Sequence, residues 1–287
     1  MESSSNNALR PAAGLTRVFI WCVPRTLGTA LTKCLSYVDG IQIFNEPFGS
    51  AMFFGPEGRT PDPDFVKFIE RASANQQVIF EHAIDDSKCT YGWVKQQLEA
   101  DYPGKKVLLV RDQAPYLDEK YDTIPSGFRH AFLIRHPYKV LPSYKRIVTK
   151  MRKRDMPNGY EMQFKLLKYV QEHLDPNPII IDADDLQSNP SSILSQFCQA
   201  VGIPYSDSLL EWPADRDIMK TWIGSRIDLQ GSLLEDEGGY YDKAINSSRF
   251  LPITAIPERS ELSQDIQEAA DYSMPFYEKM YQLLLKP

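Results

Sequence analysis

The chain has 287 residues, of which 43% are hydrophobic and 24% are charged, so a globular protein with a sizeable core is expected. Its formal net charge of −6 argues against a general nucleic-acid binder, because such proteins present a basic surface. No apolar run reaches the roughly 18 residues of a membrane span, and the four cysteines lack regular spacing. We therefore expect a cytoplasmic protein with reduced thiols that uses neither nucleic acid nor membrane as a partner.

The predicted organisation is a flexible polar arm over residues 1–15 and a single α/β domain over residues 16–287. The arm lacks the apolar core of a secretory signal peptide. Its serines and one arginine leave a cleaved organellar presequence open as an alternative.

The first predicted unit joins a buried strand to a helix through a short turn. Residues 18–23 form a continuous apolar run rich in β-branched and aromatic side chains, which is typical of a strand buried on both faces. Apolar residues then recur at helical spacing, so residues 24–29 must form the turn between strand and helix. Such a turn directs backbone N–H groups and the positive end of a helix dipole toward an anion. Arg25 adds a positive charge, and Thr26 and Thr29 add hydroxyl donors.

A second short strand is predicted over residues 41–44, and Glu46 follows directly after it. This carboxylate lies at the edge where α/β proteins bind ligands, although a cap or turn residue is the plainer interpretation. The Gly-, Pro- and Phe-rich residues 50–64 form a predicted loop of unusual length, which is typical of a segment that covers a site.

The middle of the chain continues the alternation of helices and strands. The pattern predicts a helix over residues 65–72, a third strand over 78–80 and a helix over 92–102. His82 follows the third strand and is either a base or a structural residue.

A fourth strand over residues 106–110 ends beside three consecutive polar residues. These are Arg111, Asp112 and Gln113. A cation and a carboxylate at a strand end are either an ion pair of small energetic value or part of a site.

The next predicted strand, over residues 131–134, ends at Arg135 and leads into a long amphipathic helix that begins at Pro137. Ser143 lies on this helix, eight residues beyond Arg135. Pro142 lies inside the helix, so we expect a kink near Ser143.

The carboxyl-terminal part carries one further strand-to-helix unit and a helical end. A strand is predicted over residues 179–182 and a helix over 190–201. Residues 264–285 predict helical segments interrupted at Pro275.

Two of these units resemble the donor site of sulfotransferases. The stretch RVFIWCVPRTLGTALTKC is similar to the 5′-phosphosulfate loop of that family, where a strand ends in Pro-Lys/Arg-Ser/Thr. The stretch AFLIRHPYKVLPSYKRI is similar to its 3′-phosphate site, where a strand-terminal Arg and a Ser eight residues later hold the phosphate. The resemblance implies a three-layer P-loop α/β fold with a central parallel sheet flanked by helices.

The resemblance also implies the donor and the residues that bind it. The donor would be 3′-phosphoadenosine 5′-phosphosulfate, leaving as 3′-phosphoadenosine 5′-phosphate, with no metal required. Many relatives have a hydroxyl residue where Gly28 stands, so one hydrogen bond to the donor is missing here or comes from the backbone. The residues assigned to the donor's two phosphate ends are Arg25, Thr26, Leu27, Gly28, Thr29, Ala30, Arg135 and Ser143.

Relatives cover the 3′-phosphate with a basic segment near the carboxyl terminus, and its usual Arg-Lys-Gly is absent from this chain. The nearest candidates lie in KTWIGSRIDLQG and are Lys220, Trp222 and Arg226.

The implied activity is in-line transfer of a sulfuryl group to a hydroxyl or amine of a small-molecule acceptor, with a carboxylate as general base. Asp112 is the favoured base because it is nearer to the 3′-phosphate unit in sequence than Glu46 is, as the base is in relatives, while Glu46 orients the acceptor. Glu46 and His82 stay open as alternative bases, and Arg25 stabilises the leaving group. A homodimer also stays open.

Two other functions remain as alternatives. A P-loop kinase or hydrolase is disfavoured because GxxxxGK[ST] is absent. A non-catalytic nucleotide-binding protein of the same fold would keep the donor pocket without transferring a group.

Overall fold

A computed structural model describes residues 14–58, 67, 74, 82–150, 159–231 and 241–285. Its strands are β1 (Thr16–Cys22), β2 (Ile41–Asn45), β3 (Val107–Asp112), β4 (Arg129–Ile134), β5 (Ile179–Asp182) and β6 (Trp222–Ile223). All six are parallel and form one sheet in the order β5-β4-β1-β3-β2-β6.

Helices cover both faces of this sheet. They are α1 (Gly28–Leu35), α2 (Pro47–Phe53), α3 (Tyr91–Glu99), α4 (Pro137–Lys150), α5 (Gly159–His173), α6 (Ala183–Ser188), α7 (Pro190–Val201), α8 (Arg226–Gly231), α9 (Asp242–Ile245) and α10 (Gln264–Tyr281).

The hydrophobic core divides into two layers because side chains alternate along each strand. In β1, Val18 and Ile20 pack on one face together with α1 and α7. Phe19 and Trp21 pack on the other face together with α3, α5 and α10. A strand buried on both faces reads as a continuous apolar run, and the predicted three-layer parallel architecture is confirmed.

The strand order creates a crevice at the carboxyl end of β1. This strand pairs with β3 on one side and with β4 on the other, so the chain reverses its direction of progress across the sheet there. Such a switch point opens between the loops that leave neighbouring strands, and ligands of open α/β sheets bind at this place.

Several elements differ from the sequence prediction. β3 extends through Asp112, so Arg111 and Asp112 lie within the strand rather than beyond it. α10 continues through Pro275, and the predicted interruption is wrong. The loss of one helical hydrogen bond at a proline is outweighed by packing of this helix against α4 and α5. The sequence prediction also lacked α5 and β6.

The predicted loop over residues 50–64 is shortened by α2, whose Pro47 occupies the first helical turn. The predicted helix over residues 65–72 falls almost entirely outside the described residues, and the strand over 78–80 falls wholly outside them. Among the helices that are described, none is both long and apolar enough to cross a lipid bilayer. All four cysteines are buried free thiols.

Lys33 on α1 contacts the end of α9, the residues just after it and Asp215. Its side chain is fully buried, and Nζ donates to the carbonyl oxygens of Asp215 at 3.1 Å, Ser247 at 3.0 Å and Ile245. A buried ammonium is costly unless hydrogen bonds compensate it, and here three carbonyls do so. Lys33 therefore ties α1 to residue 215 and to residues 245–247.

Replacement of Lys33 by Met should lower the free energy of unfolding by about 3 kcal/mol, because buried carbonyls lose a charged donor. Denaturant unfolding of both proteins measures the difference. Lys106→Met is the matched control, since this lysine is 65% exposed in its pair with Asp39 and should contribute less than about 1 kcal/mol. Equal effects of the two substitutions would contradict the role assigned to Lys33.

Candidate active site

The turn between β1 and α1 has an unusual backbone. Arg25 and Leu27 adopt positive φ angles of 72° and 68°, although neither is glycine. The left-handed conformation costs a side-chain-bearing residue about 1–2 kcal/mol, and such strain concentrates at functional sites. Leu27 caps α1 without a side-chain hydrogen bond. The first N–H groups of a helix lack partners within the helix and suit the binding of an anion.

The turn residues that were predicted to bind the donor do not all contribute in the same way. The hydroxyl of Thr26 is fully buried and donates to the carbonyl oxygen of Val23 at 2.8 Å. Thr26 therefore does not line the cavity described below, whereas Arg25 and the predicted residues Leu27, Gly28, Thr29 and Ala30 do.

Close packing around position 28 explains why this residue has no side chain. A Cβ atom at this position would lie 3.0 Å from Sγ of Cys22 and 3.3 Å from Cδ of Arg111. A side chain would therefore displace the thiol or the guanidinium stem. Burial raises the pKa of the Cys22 thiol to about 12, so this cysteine is a packing residue and not a nucleophile.

The two predicted anion-binding units meet in space. Nε of Arg25 donates to Oγ of Ser143 at 3.1 Å, although 118 residues separate them in the chain. Burial lowers the pKa of Arg25, and the nearby charges of Arg146 and Arg135 lower it further. Several cations are thus crowded together, which favours the binding of an anion between them.

Arg135 follows directly after β4 and lies close enough to Arg25 for its charge to lower the pKa of Arg25. Its Nε donates to Asp184 at 2.9 Å and its Nη2 donates to Oε1 of Gln187 at 2.9 Å. Nζ of Lys139 lies 2.6 Å from the other carboxylate oxygen of Asp184. One carboxylate is shared by two cations, so this cluster keeps a net positive charge while Asp184 fixes the direction of both side chains.

These residues surround a cavity of about 1080 Å³ at the carboxyl edge of the sheet. Arg25, Arg135, Lys139 and Ser143 line it. Glu46 also lines it, together with aromatic residues from α2, α4 and the loop after β3. The cavity lining therefore contains both cations and a carboxylate.

The side chain of Glu46 is held in a fixed orientation. Glu46 follows β2 with a positive φ of 50°, and only 10% of its side chain is exposed. Its Oε1 accepts from Nε2 of Gln113 at 2.8 Å and lies 2.9 Å from Nη1 of Arg111. Two contacts on one oxygen orient the carboxylate toward the cavity.

Arg111 is the buried centre of this cluster. Its guanidinium donates to Oδ1 of Asn45, with Nε at 3.1 Å, and to the hydroxyl of Tyr241 at 3.0 Å. Burial acts to lower its pKa, but the charge of Glu46 raises it, and the net direction is upward. Arg111 therefore remains a cation and pins the ends of β2 and β3 together.

Asp112 points away from the cavity, to the opposite face of β3. Its side chain is fully buried, and its two oxygens accept from the backbone N–H of Phe48 at 2.7 Å and of Gln113 at 2.8 Å. Burial raises its pKa well above the usual range. The carboxylate serves the amino end of α2, and Asp112 does not line the cavity.

The other sequence candidates also lie away from the cavity lining. His82 is exposed. Trp222 is fully buried in β6, where its indole donates to Ser36, and Lys220 pairs with Asp217 at 2.6 Å on the surface. Arg226 is exposed at the start of α8.

Lys243, Arg249 and several residues between 250 and 257 line the cavity in their place. Arg249 and residues 250–257 were missed because they lie in irregular chain without periodicity, and Lys243 was missed because α9 is only four residues long. The basic residues in this part of the sequence were the available signal.

Parts of the chain are similar to known proteins. Residues 114–225 match the family model described as a sulfotransferase domain. Two curated relatives from Arabidopsis thaliana are the branched-chain-amino-acid aminotransferase-like proteins 2 and 1. They are 26% and 32% identical over 206 and 198 residues, which make up 69% and 68% of this chain. The chain spans only about a third of the length of these relatives, 32% and 31%.

Several solved structures align over most of the chain at low identity. The sulfotransferase from Alicyclobacillus acidocaldarius aligns with a TM-score of 0.48 and 13% identity, covering 95% of this chain and 96% of its own. Retinol dehydratase in complex with retinol and PAP aligns with a TM-score of 0.41 and 14% identity, covering 96% and 84%. Residues 114–225 thus match a sulfotransferase domain, which is consistent with the family that the sequence motifs resemble, and the parallel sheet has the predicted three-layer α/β architecture.

Proposed function

We propose that the chain is a sulfotransferase that moves a sulfuryl group from 3′-phosphoadenosine 5′-phosphosulfate to a small-molecule acceptor. The observation that carries this proposal is the hydrogen bond of 3.1 Å between Arg25 and Ser143. It brings together the two sequence units that resemble the ends of one donor site. Arg135 lines the same cavity, so a single nucleotide can contact both units.

The residues present fit the two anionic ends of this donor. At one end, Arg25 and the N–H groups of the first turn of α1 suit the 5′-phosphosulfate. At the other end, Arg135 and Lys139 outnumber the carboxylate of Asp184 and suit the 3′-phosphate. When bound, the donor supplies an activated sulfuryl group whose bridging oxygen becomes negative as it leaves. Arg25 is placed to stabilise that charge.

We assign the general base to Glu46 rather than to Asp112. Glu46 lines the cavity with an oriented carboxylate, whereas both oxygens of Asp112 accept backbone N–H groups on the other side of the strand. In the proposed step, Glu46 accepts the proton of the acceptor's hydroxyl or amine. The new bond to sulfur forms as the bond between sulfur and the bridging oxygen breaks, and 3′-phosphoadenosine 5′-phosphate leaves with both electrons of that bond.

Donor specificity gives the first test. In a thermal-shift experiment, 3′-phosphoadenosine 5′-phosphate at about 100 times its Kd should stabilise the protein by about 2.7 kcal/mol. AMP, which lacks the 3′-phosphate, and ATP should stabilise it less at equal concentration. Arg135→Gln should weaken 3′-phosphoadenosine 5′-phosphate binding by about 10–100-fold and leave AMP binding nearly unchanged.

Arg129→Gln is the control for that experiment, because Arg129 lies at the opposite end of β4 and pairs with Asp175. This variant should keep the preference for the 3′-phosphate. Preferential stabilisation by ATP would contradict the proposed donor and favour a kinase or hydrolase.

The choice of base gives the second test. Glu46→Gln should lower kcat by at least about 100-fold while the Kd for 3′-phosphoadenosine 5′-phosphate stays the same. Asp112→Asn presents an NH₂ group to a backbone N–H and should reduce stability by about 1–3 kcal/mol, with turnover of the folded fraction retained. Loss of turnover in folded Asp112→Asn together with an active Glu46→Gln would return the role of base to Asp112.

A further inference from the structure

One oxygen of the Glu46 carboxylate is available to a ligand. Oε1 is held by Gln113 and Arg111, whereas Oε2 accepts no hydrogen bond from the part of the chain that the structure describes. Oε2 is also not one of the unpaired side-chain atoms that are fully enclosed, and Glu46 lines the cavity. Oε2 is therefore open to the cavity and can take a proton from a bound molecule.

The hydroxyl of Tyr116 is a second polar group without a partner. Tyr116 lines the cavity and is only 6% exposed, and among the described residues nothing pairs with its hydroxyl. This hydroxyl is not fully enclosed either, so a ligand can reach it. Burial raises the pKa of Tyr116 well above the usual range, and the charge of Glu46 raises it further. The hydroxyl therefore stays neutral and keeps a proton that it can donate.

The hydroxyl of Tyr116 lies close to the base. Besides burial and Glu46, the groups that raise its pKa are Tyr144, Tyr241 and Asp228. All of these residues line the same cavity. Since charge effects weaken with distance and are screened by solvent, the hydroxyl must lie among these groups rather than on the outer surface.

Gly49 allows the ring of Tyr116 to lie against α2. A Cβ atom at position 49 would lie 2.7 Å from Cδ2 and 3.0 Å from Cε2 of this ring, and 3.4 Å from Cβ of Glu46. The backbone of α2 thus separates the base from the tyrosine by a single glycine. Tyr91 donates to the carbonyl oxygen of Tyr116 at 2.8 Å, and the ring of Phe53 packs edge-on at 5.2 Å. These contacts fix the ring without using its hydroxyl.

We propose that Tyr116 is a catalytic residue whose hydroxyl donates to the reacting oxygen of a hydroxylated acceptor while Oε2 of Glu46 takes the proton of that oxygen. This inference rests on the proposed function and assigns its acceptor class. A hydroxyl oxygen has two lone pairs, so one can accept from Tyr116 while the other attacks sulfur. An amine nitrogen has one lone pair, which cannot do both. The pair of groups therefore selects hydroxyls over amines.

The chemical step is balanced without any further reactant. The O–H bond of the acceptor breaks as its proton passes to Oε2 of Glu46, and the acceptor oxygen forms the bond to sulfur. The bond between sulfur and the donor's bridging oxygen breaks, and its electron pair leaves with 3′-phosphoadenosine 5′-phosphate. Tyr116 keeps its proton throughout and orients the attacking oxygen. The products are the sulfate ester of the acceptor and the nucleotide.

Tyr116→Phe removes only the hydroxyl and is the main test. Because nothing among the described residues pairs with this hydroxyl, the variant should keep the wild-type Tm and the wild-type Kd for 3′-phosphoadenosine 5′-phosphate. Transfer from sulfur-labelled donor to phenol, benzyl alcohol and water should fall by about tenfold or more. Unchanged transfer overturns the proposal, and a clearly lower Tm would give the hydroxyl a structural role instead.

Tyr102→Phe is the matched control for this substitution. The hydroxyl of Tyr102 donates to the carbonyl oxygen of Gln97 at 2.9 Å, and Tyr102 does not line the cavity. The same chemical change should therefore lower the Tm and leave transfer unchanged. An equal loss of transfer in both variants would contradict a specific role of Tyr116.

Phenol and aniline test the acceptor class, since both are neutral at pH 7, have the same ring and differ in the reacting atom. The aromatic ring suits the cavity because Phe53 and Phe54 line it. The wild-type protein should use phenol about tenfold or more better than aniline in kcat/KM, and this ratio should fall in Tyr116→Phe. Equal or better use of aniline by the wild-type protein, or a ratio that the substitution leaves unchanged, overturns the assigned acceptor class.

The outcomes separate this inference from the proposed function. Failure of 3′-phosphoadenosine 5′-phosphate to bind removes the proposed function. Binding of that nucleotide without transfer to any of these acceptors or to water contradicts the sulfotransferase activity, and the role of Tyr116 falls with it. Transfer that Tyr116→Phe retains in full removes only the role of Tyr116.

Discussion

The candidate site depends on the contacts that the buried guanidinium of Arg111 makes. This guanidinium lies between the ends of β2 and β3, where it contacts Asn45, Glu46 and the hydroxyl of Tyr241. A buried ion pair gains little stability over an apolar pair. Removal of one partner leaves the other charge buried and unpaired, which lowers the free energy of unfolding by about 3–5 kcal/mol. The ion pair of Arg111 with Glu46 therefore serves mainly to orient the Glu46 carboxylate. Arg111 also explains Gly28, because its stem occupies the space that a side chain would need.

The sequence was sufficient to predict the parallel three-layer sheet and to place Arg25 and Arg135 at one edge of it. Strands buried on both faces must be continuous apolar runs, and residues 18–23 and 131–134 have that form. Parallel strands place their carboxyl ends on one edge, so Arg25 and Arg135 had to emerge near each other if their strands were neighbours. The pairing of β1 with β4 makes them so, and the contact of Arg25 with Ser143 is its consequence.

The positions of the other residues of the candidate site depend on contacts between residues that are far apart in the sequence. Arg111 and Asp112 are adjacent, and the pleat sends them to opposite faces of β3, but the strand order decides which face meets the cavity. α5 was missed because Gln163, fully buried, interrupts its apolar seam in order to donate to carbonyl oxygens of β1 and β4. Lys243 lies on the short helix α9 and Arg249 in irregular chain, and the path of this segment is set by tertiary contacts such as those of Lys33.

The candidate site carries two kinds of physical cost. Cations are crowded around Arg25, so burial and the charges of its neighbours lower the pKa of this arginine. Glu46 takes a left-handed backbone conformation, and Oε1 of Gln113 is buried without a partner among the described residues. A bound anion would relieve the first cost, because it neutralises the crowded guanidinium groups. The second cost belongs to the network that fixes the Glu46 carboxylate, in which Gln113 and Arg111 hold the same oxygen atom.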